Sequence, residues 1–156
     1  MNEICTWSAQ VVTARMANKT VSAREVMQAA LDQIDRVNGA ANAIVSLRDA
    51  SELLAEAAAA AAPSAEAPLS GLPIAIKDLV NTKGLRTTFG TPSMAEFVPD
   101  QDDLLAARLK AAGAIVIGKT NTPEFGLGSN TFNPVHGITP NAYDCDRPCG
   151  GSSGGA

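Results

Sequence analysis

Two serines set among glycines occupy Cys149-Gly150-Gly151-Ser152-Ser153-Gly154-Gly155-Ala156, and a lysine ends a short apolar run in Gly71-Leu72-Pro73-Ile74-Ala75-Ile76-Lys77-Asp78. A glycine-rich turn lets a substrate approach the main chain closely. A serine hydroxyl held in such a turn is a candidate for proton transfer or nucleophilic attack. Burial pushes a lysine toward its neutral amine, because a low dielectric disfavours the charge, and a neutral amine accepts a proton from a hydroxyl. Each feature also has a plainer reading. Lys77 followed by Asp78 fits a structural ion pair, and Ser152-Ser153 fits a flexible glycine-serine turn. A phosphate cradle of the Walker kind is excluded, since no Lys-Ser or Lys-Thr follows the glycines.

The remaining chemistry-bearing residues offer less. Cys5, Cys145 and Cys149 do not make a paired framework. Cys145 and Cys149 beside His136, the one histidine in 156 residues, lack a fourth ligand for a tetrahedral zinc, so no metal is expected. The net charge is −4, with both signs scattered rather than gathered into a basic stripe, which argues against a nucleic-acid surface. The longest alanine run, Ala57 to Ala62, is far too short to cross a bilayer, and the first residues show no basic stretch followed by an apolar one. A cytoplasmic protein without membrane contact is expected. At 46% apolar residues the composition is that of an ordinary globular chain.

Taken together, Lys77 at the end of its run and Gly150-Gly151-Ser152-Ser153-Gly154-Gly155 resemble the amidase signature family. The resemblance covers nearly all of this chain but only the first third of the family domain, so the chain reads as a fragment that needs the remainder of that domain. It implies an α/β amidase signature fold, incomplete here, and a Ser-Ser-Lys triad with no metal and no organic cofactor. By residue match Lys77 is the general base and Ser152 the serine that relays a proton, held by a cis peptide. The acyl-accepting serine and the oxyanion-hole amides lie further along the family sequence. Asp78, Gly151 and Ser153 take supporting roles, Asp78 and Ser153 through hydrogen bonds.

The segment Asn121-Thr122-Pro123-Glu124-Phe125-Gly126-Leu127-Gly128-Ser129-Asn130 also resembles the family, and by match Gly126 lines the substrate site together with Ser152; an ordinary turn is the alternative. This stretch reads Pro-Glu-Phe-Gly-Leu-Gly-Ser-Asn where tRNA-dependent amidotransferase A subunits usually carry Asp-Glu-Phe-Ala-Met-Gly-Ser-Ser. That departure favours a stand-alone amidase acting on a small linear amide. The A subunit of a tRNA-dependent amidotransferase and an inactive truncated product are the rival readings. The family needs no histidine, so His136 is expected to be structural, as are Trp7 and Tyr143. The oligomeric state stays open, a homodimer among the options. If the chain is only the family's first third, its apolar strands have uncovered faces, and the isolated segment is expected to be poorly soluble or partly unfolded.

The elements that must position these residues follow from periodicity. Residues 1–62 read as a mainly helical region, 63–70 as a proline-rich linker and 71–156 as the start of the catalytic core. Thr6 to Asn18 suits a short helix capped by Thr6 or Ser8. Ser22-Ala23-Arg24-Glu25 is a capping box opening a longer helix that stops at Asn38-Gly39. Ala43 to Leu47 suits a strand, and Asp49 opens a helix to about Ala62. Pro73 to Ile76 and Ala114 to Gly118 read as buried strands with a loop over Asn81 to Thr91 between them. Between these strands, Asp100 or Asp102 caps a helix whose Leu104, Leu105, Leu109 and Ala112 face inward. Strand, helix, strand in this order predicts a mixed, mainly parallel sheet flanked by helices. Thr122-Pro123 suits a cap with a proline at the first helical position. From Gly126 to Gly155 turn-formers dominate, and a long irregular segment is expected.

Overall fold

The computed structural model describes residues 2–155. These divide into two compact units, one made of the chain up to Arg36, Arg48–Ile74 and Ala107–Ile117, the other of Val37–Leu47, Ala75–Ala106 and the chain from Gly118 onward.

The first unit is mostly helical. After a 3-10 turn at Glu3–Thr6, helix α1 spans Ala9–Ala17, with the Ser8 hydroxyl accepting from the Val11 amide as its cap. Helix α2 spans Ala23–Ala41 and continues into the second unit. Its capping box forms as the pattern requires: the Ser22 amide donates to the Glu25 carboxylate at 2.8 Å and the Glu25 amide to Ser22 Oγ at 3.2 Å. Val12, Met16, Val21 and Val26 form a buried cluster against Ile4, Trp7 and Leu72. Helix α3 covers Ala50–Ala59 with Asp49 accepting from the Ser51 and Glu52 amides; it stops before the expected Ala62, because Ala60 is already extended ahead of the prolines. Helix α4 covers Leu104–Ala111 and begins in the second unit.

Gly113 ends α4 at φ +90°, and a Cβ there would lie 2.7 Å from Ser70 Cα. The chain returns at this point by the Leu69 amide to the Ala112 carbonyl and the Gly71 amide to the Gly113 carbonyl. Gly113→Ala is therefore expected to destabilise the protein by about 2 kcal/mol or more, from the strained φ and the backbone clash together. Urea denaturation should show a lower midpoint with an unchanged slope.

Strand β1 (Ile44–Leu47) pairs antiparallel with β3 (Ile115–Thr120) through residues of the second unit, Leu47 opposite Gly118 and Ser46 opposite Lys119; Ile115–Ile117 of β3 belong to the first unit. The sheet order is β1-β3-β2, with β2 at Pro73–Lys77. Hydrogen bonds flanking β2 and β3 run from the Ile115 amide to the Leu72 carbonyl and from the Asp78 amide to the Thr120 carbonyl, so both strands advance together and this pair is parallel. All six residues of β3 are buried, which is why it reads as a continuous apolar run in sequence up to Gly118.

Four expectations are corrected here. The sheet is not mainly parallel: β1–β3 is antiparallel, as are the pairs β4–β5 (Phe132–Asn133 with Gly137–Ile138) and β6–β7 (Pro140–Asn141 with Asp144–Pro148). The stretch after Gly126 is not uniformly irregular either, since these short ladders stack through Thr139 to Thr131, Cys149 to Thr139 and Thr131 to Cys149 backbone bonds. Two-residue strands rich in Asn, Gly and Pro have no periodicity to read. Finally, Leu104 and Leu105 point outward at 67% and 53% exposure while Ala106 is buried. An eight-residue helix carries too little periodicity to fix its inward face, and here Ala106 is its fully buried residue while Leu109 is half-buried. Pro123 likewise stands as the extended cap residue of the 3-10 turn Glu124–Gly126 rather than at its first helical position.

Candidate active site

The second unit holds Lys77, Asp78, Gly126, Gly151, Ser152 and Ser153. Strand β2 delivers Lys77 at its C-terminal end, where open α/β sheets gather ligands. Its Nζ donates to Ser152 Oγ at 2.7 Å. The Gly151–Ser152 peptide is cis. Burial holds the Lys77 amine below its ordinary value of 10.5, by disfavouring the charged form. The contact is therefore between an amine eased toward neutrality and a hydroxyl that can both give and take a proton.

The Gly-Ser turn is fixed from below. The Gly151 amide donates to the Ser129 carbonyl at 2.6 Å, and Asn130 and Gly150 form a β-bridge. Gly154 is buried against Thr131, whose side chain occupies the place where a Cβ would go. That close approach, and not loose flexibility, is what demands glycine at this position. Ser153 is exposed, and its hydroxyl forms no hydrogen bond among the described residues. Gly126 sits at φ +73° in the 3-10 turn, next to Leu79. A cleft of about 370 Å³ opens beside that turn, lined by Pro123, Glu124, Leu127, Ser129, Phe132 and Pro134 among others.

Lys77 and Asp78 do not pair with one another. Asp78 is fully buried and accepts from the Thr88 amide at 3.0 Å and the Thr88 hydroxyl at 2.5 Å. His136 Nε2 lies 3.5 Å from the same carboxylate and 3.1 Å from Thr88 Oγ1. Sequence reasoning missed this cluster, because nothing in the spacing of residues 78, 88 and 136 marks them as neighbours. It also missed Lys119, fully buried in β3, whose ammonium donates to the Val80 carbonyl and to Thr82 Oγ1. A lysine inside an otherwise apolar strand was the available signal. Among the described residues no group of three His, Cys, Asp or Glu side chains is gathered as a metal would need. No described helix is long and apolar enough to cross a membrane.

With this geometry in view, comparison with known proteins is direct. A family model described as Amidase matches residues 25–156, and the chain belongs to the amidase signature family. It is 45% identical over 148 residues to the A subunit of the glutamyl-tRNA(Gln) amidotransferase of Thermus thermophilus, covering 95% of this chain and 30% of that protein. It is 43% identical over 155 residues to the indoleacetamide hydrolase of Bradyrhizobium diazoefficiens, covering 96% and 29%. The structure of 6-aminohexanoate cyclic dimer hydrolase superposes with a TM-score of 0.85 at 29% identity, over 96% of this chain and 30% of that one. The chain thus spans about 30% of the length of the curated relatives it matches.

Proposed function

We propose that this chain supplies the base and the proton relay of an amidase that hydrolyses a linear carboxylic amide to an acid and ammonia or an amine. The observation that carries the reading is the 2.7 Å contact between Lys77 Nζ and Ser152 Oγ. The attacking serine and the oxyanion-hole amides come from the rest of the family domain. Lys77, as a free amine, takes the proton of Ser152 while Ser152 takes that of the attacking serine, whose oxygen bonds to the amide carbon. The relay then runs backward and protonates the departing nitrogen, which leaves an acyl ester. Water enters by the same route and releases the acid. This is a Ser-Lys variant of triad logic, in which an intermediary hydroxyl both orients and conducts.

The test is turnover of a panel of primary and aryl amides by the complete polypeptide that contains these residues, with a fluorophosphonate adduct located by mass spectrometry. An adduct on a serine outside residues 1–156, with amide turnover, supports the reading. Turnover that survives full modification of that serine sinks it.

The pH dependence has a definite sign. A protonated Lys77 cannot accept a proton, so kcat/KM rises with pH through the Lys77 titration. Because burial lowers that value, the midpoint of the rise is expected below the 10.5 of an ordinary lysine. A profile flat from acid to alkaline pH would remove Lys77 from the base role.

A second reading, the A subunit of a tRNA-dependent amidotransferase, is favoured by the 45% identity to the Thermus thermophilus protein. The Pro-Glu-Phe-Gly-Leu stretch at 123–127 weighs against it. Glutamine hydrolysis that appears only on addition of partner subunits and misacylated tRNA would select this reading over the stand-alone enzyme.

A further inference from the structure

The buried cluster of Asp78, Thr88 and His136 begins one residue beyond Lys77 and plays no part in the proton relay. A hydroxyl carries one proton, and an ionised carboxylate only accepts. Thr88 Oγ1 gives its proton to Asp78 Oδ2 and already accepts from the Gly90 amide at 3.0 Å. It therefore faces His136 Nε2, 3.1 Å away, with a lone pair. Nε2 must carry hydrogen, and that N–H is shared between Thr88 Oγ1 and Asp78 Oδ2, 3.5 Å distant. The ring is held in turn through its own main chain: the His136 amide donates to Asn133 Oδ1 and its carbonyl accepts from Asn42 Nδ2, both at 2.7 Å. Its side chain is 7% exposed and that of Asp78 is not exposed at all.

Resting on the assignment of Lys77 as base, we propose that His136 is a positioning residue for the Lys77–Ser152 pair, its Nε2–H closing the buried Asp78–Thr88 cluster that fixes the end of β2. Without that donor the lone pairs of Asp78 and Thr88 are left short of partners in a dry site. Such a cluster rearranges or admits water, and it moves as a unit because its bonds are shared. Asp78 is covalently next to Lys77, so the rearrangement displaces the amine from the Ser152 hydroxyl. A displacement of an ångström at a reacting group is enough to slow catalysis by up to about a hundredfold.

The test compares His136→Leu, which keeps bulk and removes the donor, with His136→Gln, whose amide can return an N–H to the same place, both in the complete polypeptide. His136→Leu is expected to lower kcat about ten- to a hundredfold with KM little changed, and His136→Gln to recover most of that loss. Adding Asp78→Asn to His136→Leu should cost little more than either alone, since both open one cluster. A space-filling histidine gives the opposite order, with leucine at least as active as glutamine, and that result overturns the proposal. Two readouts do not need turnover. Nitrogen-15 NMR of the wild type should find Nε2 protonated, and a bare Nε2 overturns the proposal. The Lys77 side-chain resonances should move in His136→Leu, or in Thr88→Val if the former does not fold, and stay near wild type in His136→Gln; unmoved resonances overturn it as well. A wild type without amide turnover sinks the amidase reading, and the NMR outcomes still decide the role of His136.

Discussion

Lys77→Met is expected to lower kcat of the complete polypeptide by about four orders of magnitude, the loss seen when a triad loses the member that manages its proton. Methionine keeps most of the apolar stem that occupies the end of β2 and removes only the amine that reaches Ser152 Oγ at 2.7 Å. Substrate binding should persist, so the effect falls on kcat and not on KM. Lys77→Arg sharpens the result. A guanidinium stays protonated at any working pH and cannot act as a base, so the arginine variant should be nearly as inactive as methionine although it keeps the charge. The rising limb of the pH profile should vanish in both. Wild-type rates in Lys77→Arg would show that a positive charge suffices at this position, and that the lowered lysine titration has no catalytic use.

The parts of this arrangement that are legible in the sequence are those encoded locally. The Ser22 and Glu25 capping box and the Asp49 cap each bond within three residues, and both form where the pattern puts them. The apolar run ending at Lys77 is a strand for the same local reason. The approach of Lys77 to Ser152, 75 residues apart, has no local code at all and is reachable only through likeness to a family. The Asp78, Thr88 and His136 cluster has neither kind of code. Its members lie 10 and 48 residues apart and carry no motif, so only folding brings them together. The short ladders after Gly126 escape a sequence reading because their bonds depend on partners across the segment and not on strand-forming side chains. Periodicity assigns the inward face of α4 to its largest apolar residues, whereas Ala106 is the one fully buried and Leu104 and Leu105 are exposed.

The second large effect is expected at Ser152. Replacing it by alanine removes the hydroxyl proposed to stand between the base and the attacking serine, and kcat should fall about a thousandfold, less than for Lys77, because a water can bridge part of the gap. The turn itself should survive the change: Gly151 still bonds to the Ser129 carbonyl, and Gly154 still rests on Thr131. The loss is therefore chemical and not structural, and an unchanged melting transition checks that directly. In the proposed mechanism the relay serves both directions, first in forming the acyl ester and then in cleaving it, so acylation and deacylation should slow together. Pre-steady-state kinetics should accordingly show the acylation phase and the steady-state rate slowed by similar factors in Ser152→Ala. Fluorophosphonate labelling of the attacking serine should slow in parallel. A Ser152→Ala variant that labels at the wild-type rate would mean that Lys77 reaches the attacking serine without this hydroxyl, and the 2.7 Å contact would then be a structural hydrogen bond and nothing more.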